Sequence, residues 1–221
     1  MKNNKMLNCF ASVLIEWHDA NGRDFPWRND NDPVHIFIAE CLLHRTRARN
    51  VVPIYERLRD LIPALLENSA ESRKYCHKLL YPLGLKWRAD MLMNSLDIVN
   101  RKFNGTVPVS RIDLLSLPGV GDYIASAFRV FSAGYDDPLM DANTVRIISR
   151  VYELSTSDSS RRTKLFREKY SELRNGHNSR KFGYSMIDLG ALICKPFTPY
   201  CSICPVNKFC LLGAKATKGN E

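Results

Sequence analysis

Phe10, Val13, Leu14 and Trp17 recur at the 3.6-residue spacing of a helix with one buried face, with polar residues set among them. The same rhythm returns along the chain. Ile36, Ala39 and Leu43, followed by Ala48–Tyr55, predict one or two further helices. Leu61–Leu66 and Arg73–Leu80 predict more, and Trp87–Phe103 reads as one long helix. Ile112–Leu117, Asp122–Ala133, Asn143–Leu154 and Lys164–Arg174 complete the set. Period-two alternation never extends beyond about four residues, which argues against a strand-rich fold. Pro and Gly mark the joints, for instance at Gly22–Pro26, Pro82–Gly84, Gly105–Pro108 and Gly134–Pro138. The expected fold class is therefore all-α, with roughly ten helices and short connections. No stretch has the composition of a linker, so a second lobe must be closely packed or discontinuous in sequence. No repeat of about 20–50 residues is present, which sets solenoids aside.

Composition changes this picture little. Hydrophobic residues make up 45% of the 221 and charged residues 25%, as in a folded protein whose core needs no disulfides. Met6–Ile15 follows Lys2 and Lys5 as a signal peptide would. It runs straight into Glu16-Trp17-His18 with no small-residue cleavage site, so it reads as an amphipathic helix. No apolar run approaches the ~18–20 residues that cross a bilayer. The expected location is intracellular, in the cytoplasm. Charge changes more. Lys and Arg number 32 against 23 Asp and Glu, and the net charge of +9 points to a polyanion, either nucleic acid or an anionic membrane surface.

Three motifs carry candidate chemistry. Leu117-Pro118-Gly119-Val120-Gly121 joins two helical runs. Its glycines permit turns and close approach, and the unpaired amides opening the next helix can hold a phosphate. The same residues also suit an ordinary helix–helix turn. Asp141 lies 18 positions after Tyr123, just ahead of a buried helix face formed by Val145, Ile148 and Tyr152. Asn143 suits the N-cap there, and Asp141, taken alone, suits another cap or a solvated turn. Cys194, Cys201, Cys204 and Cys210 place four soft ligands within 17 residues. Without disulfides such a set means zinc or an iron–sulfur cluster. The single Cys-x2-Cys pair is unlike the two tight pairs usual for structural zinc. Cys9, Cys41 and Cys76 read as buried small hydrophobes.

The hairpin followed by this aspartate resembles the helix–hairpin–helix DNA glycosylases. The cysteine spacing resembles the [4Fe–4S] loop of their endonuclease III and MutY branch. Arg23-Asp24-Phe25-Pro26-Trp27-Arg28, Ile38–Arg47, Gly84–Ala89 and Asp188–Cys194 match further signatures of that branch. The resemblance spans roughly Phe25 to Cys210. It implies two all-α lobes, a helical barrel over residues 28–137 and a cluster lobe of 1–27 with 138–221. It also implies a [4Fe–4S] cofactor on the four cysteines and a mismatched DNA duplex as partner, bound by a monomer with no membrane role.

By the same resemblance, Asp141 faces the sugar of a flipped nucleotide, Glu40 serves the departing base, and His44, Arg45 and Arg47 belong to a DNA-wedging segment. The hairpin residues Leu117, Gly119, Val120 and Gly121 would grip the DNA backbone. Bifunctional relatives carry a lysine where Tyr123 stands. Tyrosine forms no imine, so the resemblance implies a monofunctional enzyme of base excision repair. Arg45-Thr46-Arg47-Ala48 looks like the compact thymine/uracil mismatch glycosylases. Adenine glycosylases tend to have Gln-Gln-Thr-Gln there and a C-terminal domain that reads 8-oxoguanine, whereas this sequence stops soon after Cys210. Excision of thymine or uracil opposite guanine is expected, with adenine opposite guanine or 8-oxoguanine as the alternative and a non-catalytic iron–sulfur DNA-binding protein as the rival from another class. Tyr184 departs from both groups at a pocket position. Residues Arg161–Lys181 carry eight Lys/Arg against Glu168 and Glu172, a solvated helix face or part of a DNA-facing field.

Overall fold

The computed structural model describes residues 9–83 and 86–218, and among them there are helices and no strands. Met6–Asn8 of the first amphipathic stretch, and Gly84 and Leu85 of the Gly84–Ala89 signature, lie outside the described residues. Twelve α-helices are described: α1 (Phe10–Asn21), α2 (Pro33–Leu43), α3 (Ala48–Arg59), α4 (Ile62–Glu67), α5 (Ala70–Leu80), α6 (Lys86–Phe103), α7 (Arg111–Leu115), α8 (Asp122–Ala133), α9 (Ala142–Tyr152), α10 (Lys164–Arg174), α11 (Ser179–Leu192) and α12 (Leu211–Lys218). Side-chain caps start several of them. Asp32 accepts from the Val34 amide at 2.7 Å, with Pro33 at the first position of α2. Ser110, Thr163 and Asn178 cap α7, α10 and α11 in the same way. Among the described residues no helix is long and apolar enough to cross a membrane.

The chain forms two compact units, one from Asp24 to Ala133 and one from the stretch ending at Arg23 together with the stretch beginning at Gly134. In the continuous unit, α2 packs against α8 and α3, while α6 packs against α5 and α4. Phe37, Ile38, Leu42, Tyr55, Leu58 and Phe128 are fully buried there. Phe37 meets Phe128 edge-on at 6.0 Å between ring centres. Because α2 is buried on nearly all sides, it carries no polar stripe.

In the discontinuous unit, α11 packs against α1 and α9, and α9 against α10 and α12. Phe182 of α11 sits edge-on between Phe10 and Tyr170. Asp188, fully buried on α11, takes the Arg23 guanidinium at 2.8 and 2.7 Å and the Arg23 amide at 2.8 Å. His18 Nε2 lies 3.3 Å from the same carboxylate. These bonds offset the desolvation of Asp188 and tie the segment around α1 to α11. Periodicity alone does not predict α11. Its buried residues run around the helix, and Gly183 and Gly190 interrupt it.

Two local expectations are corrected. Asn143 does not cap α9; Asp141 does, two residues earlier. Cys9 is exposed just ahead of α1, not buried in an apolar face, whereas Cys76 is fully buried and Cys41 partly so.

Candidate functional site

In the continuous unit, α2 carries Glu40 into the interior with 3% of its surface exposed. Burial raises its carboxyl to about 8, only partly opposed by the positive charge of Arg28. Arg28 is held in turn by its neighbours, with its guanidinium 5.3 Å from the centre of the Phe25 ring. That ring stacks on Trp27 at 4.9 Å. At neutral pH Glu40 is a protonated acid in a dry setting, able to donate a proton to a leaving group.

The chain leaves α2 through an exposed turn that presents His44, Arg45 and Arg47 to solvent. Arg45 adopts a left-handed backbone conformation, φ 60°, which non-glycine residues seldom take. Burial and the charges of Arg45 and Arg88 keep the His44 imidazole below its ordinary value.

The hairpin between α7 and α8 divides its labour. Leu117 and Val120 bury their side chains, at 2% and 7% exposure, and the Val120 amide donates to the Leu117 carbonyl at 3.1 Å. Ser95 on α6 donates to the Pro118 carbonyl at 2.7 Å. Gly119 needs its positive φ of 79°, and a Cβ there would press on Met91 at 3.1 Å. Gly119 and Gly121 are exposed. The anchored leucine and valine thus hold an exposed glycine backbone ahead of α8, where a phosphate can reach unpaired amides. Tyr123, in the first turn of α8, is partly exposed.

In the discontinuous unit, Asp141 caps α9. One carboxylate oxygen accepts from the Thr144 amide at 2.7 Å, and the other accepts from Asn143 Nδ2 at 2.9 Å. Asn143 Oδ1 accepts from Arg146 Nη2 at 2.7 Å. Arg146 also donates to the carbonyls of Gly190 and Cys194 at 2.9 and 2.8 Å. A continuous set of hydrogen bonds therefore runs from the candidate carboxylate to the backbone of the first cysteine. Asn143 and Arg146 were not singled out as site residues in the sequence; Asn143 at i+2 from Asp141 and Arg146 three residues further was the available signal. Tyr184 sits on α11 with 7% of its surface exposed.

The four cysteines lie around the end of α11 and the start of α12. Arg150 Nη1 donates to Cys194 Sγ at 3.3 Å, and the Gly213 amide points at Cys210 Sγ at 3.5 Å. Burial pushes the Cys204 thiol up to about 12, with the other three sulfurs adding to the rise. Cys201 and Cys210 are raised for the same two reasons. The four thiols thus feel one another electrostatically. Among the described residues no three His, Cys, Asp or Glu side chains stand close enough to share one metal ion. The donor chemistry, all sulfur with an arginine and an amide directed at it, fits an iron–sulfur cluster, in which each thiolate binds its own iron.

Half of the eight basic residues in the run 161–181 form ion pairs within their own unit. Lys169 pairs with Glu172 at 2.8 Å, Arg174 with Asp136 at 2.9 Å, Lys181 with Asp19 at 3.2 Å and Lys164 with Glu168 at 3.6 Å. Its effective charge is accordingly well below the count of its lysines and arginines.

No protein-family model matches the chain. Individual proteins do. A thymine-DNA glycosylase of Aeropyrum pernix is 35% identical over 205 residues, covering 90% of this chain and 91% of its own. A thymine/uracil-DNA glycosylase of Pyrobaculum aerophilum is 32% identical over 214 residues, covering 93% and 92%. The solved structure of a thermostable thymine-DNA glycosylase matches with a TM-score of 0.85 at 31% identity, covering 97% of this chain and 100% of its own. An adenine DNA glycosylase of Buchnera aphidicola also matches, at 29% identity, with 58% of its length covered.

Proposed function

The chain belongs to the helix–hairpin–helix DNA glycosylases of the endonuclease III and MutY branch, and we propose that it excises thymine or uracil mispaired with guanine. The observation that carries this reading is kinship with thymine and thymine/uracil glycosylases at 35% and 32% identity, over at least 90% of each chain. The reaction is hydrolysis of the N-glycosidic bond through an oxocarbenium-like sugar, in base excision repair.

Each residue has a role in that scheme. The target leaves the stack at a cost of a few kcal/mol, less at a mispair. The exposed turn His44–Arg47 wedges the duplex, and the hairpin backbone at Gly119–Gly121 binds phosphate beyond it. Glu40 hands its proton to the departing base. Asp141, fixed by Thr144 and Asn143, offsets the positive charge that develops on the sugar and steers the attacking water. Tyr123, which forms no imine, leaves C1′ unattacked, and Tyr184 is the candidate residue for base specificity. Cys194, Cys201, Cys204 and Cys210 hold a [4Fe–4S] cluster. Bound there, the cluster would supply positive charge favouring the thiolate form of the four cysteines, which would brace the segment from α11 to α12 through it. The protein acts as a monomer on duplex DNA.

The monofunctional character is tested by borohydride. With U/G duplex the expected product is an abasic site in an intact strand, with no covalent protein–DNA adduct. A trapped adduct in good yield contradicts the assignment of Tyr123.

A further inference from the structure

Arg88, in the first turn of α6, is 4% exposed, and its guanidinium is directed at the end of α2 and the turn beyond it. Nη1 donates to the Leu42 carbonyl at 3.1 Å and to Thr46 Oγ1 at 2.6 Å, while Nη2 donates to the His44 carbonyl at 2.5 Å. Leu42 and His44 belong to the C-terminal end of a helix, where carbonyls lack intrahelical donors and a positive charge is favoured. Between the bonded positions 44 and 46 stands Arg45, the residue in left-handed backbone. A conformation of that kind persists only where its surroundings over-determine it. Here one buried guanidinium binds the residue before it and the residue after it.

We propose that Arg88 is the positioning residue of the DNA wedge: it locks the turn His44–Arg47 in the strained form that drives Arg45 and Arg47 into the duplex. Arg88 touches neither the base nor the sugar. It acts by ordering the turn before DNA arrives, so that the ordering entropy is not charged against unstacking. The same bonds fix the end of α2, two residues beyond Glu40. This assignment rests on the reading of the chain as a base-flipping glycosylase. A lysine cannot replace the arginine, because one ammonium on a flexible stem does not reproduce a planar fork spanning three acceptors.

The test compares two uracil substrates under single-turnover conditions. One is a U/G duplex; the other is the same duplex with the pairs on both sides of the uracil mismatched, so that the base is already loosened. Arg88→Lys and Arg88→Met are expected to lose roughly 10- to 100-fold on the U/G duplex, the loss of one or two charged hydrogen bonds' worth of barrier. On the loosened substrate, where little wedging is needed, the loss should shrink to about threefold or less. Equal losses on both substrates, or no loss on either, overturn the assignment, since a merely structural arginine does not distinguish them. If the Arg88 variants do not fold, Thr46→Val removes one of the three bonds from the turn side and carries the same comparison. Wild-type protein inert on both substrates removes the glycosylase reading itself, and Arg88's role with it.

Discussion

Asp141 owes its place to two hydrogen bonds, one from the helix it caps and one from Asn143. A carboxylate about 4 Å from a unit positive charge is worth ~4 kcal/mol at an effective dielectric near 20. That corresponds to about 10³ in rate. Asp141→Asn keeps a capping side chain, so it should fold and bind DNA while single-turnover excision falls roughly 10³-fold. Near-normal rates in that variant contradict the role. Glu40 makes a different prediction, because its carboxyl is pushed up to about 8 from 4.5. Between those values the folded protein holds a proton that the unfolded chain has released. Stability therefore falls as pH rises through that window. Glu40→Gln should flatten the dependence of Tm on pH from about 4.5 to about 8. It should also abolish the decline in wild-type excision above about pH 8 by removing the proton donor, at a low rate throughout. At this scale the sequence made local placement legible: Glu40 within the helical stretch from Ile36 to Leu43, and Asp141 just ahead of a buried helix face. Asn143 was misplaced as the cap because both residues suit that position, and only the backbone decides between them.

Helix α11 was hidden for the reason that makes it central. A helix packed on two others has no polar face, so its sequence carries no amphipathic rhythm. Its Gly190 faces α9 closely: a Cβ there would lie 2.5 Å from Asn143 Cβ. Gly190→Ala must therefore displace Asn143, the residue that holds the second oxygen of Asp141. Overpacking of this kind costs about 1–3 kcal/mol. The variant should melt lower and lose excision out of proportion to the unfolded fraction. Full activity in the folded fraction would show that Asn143 does not position Asp141. The short-turn elements were more legible. Pro33, the Pro-Gly-Val-Gly hairpin and the helical stretches of α6 and α8 all carry local chemistry that tertiary packing does not override.

At the scale of the whole molecule, the absence of a linker in the sequence has a structural counterpart. One unit is assembled from both ends of the described chain, and the other is inserted between Arg23 and Gly134. No composition shift marks such a junction. The net charge of +9 is likewise coarser than the structure. Much of the run 161–181 is paired internally, while His44, Arg45 and Arg47 stand exposed on one turn. Under the proposed function, the exposed turn His44–Arg47 is where part of the basic excess would meet DNA. Under the proposed function these parts serve removal of a pyrimidine opposite guanine. Single-turnover excision on T/G, U/G, A/G and A/8-oxoguanine duplexes tests it most directly. Thymine and uracil should be released from T/G and U/G with both adenine substrates left intact; release of adenine with thymine and uracil untouched would overturn the proposed function.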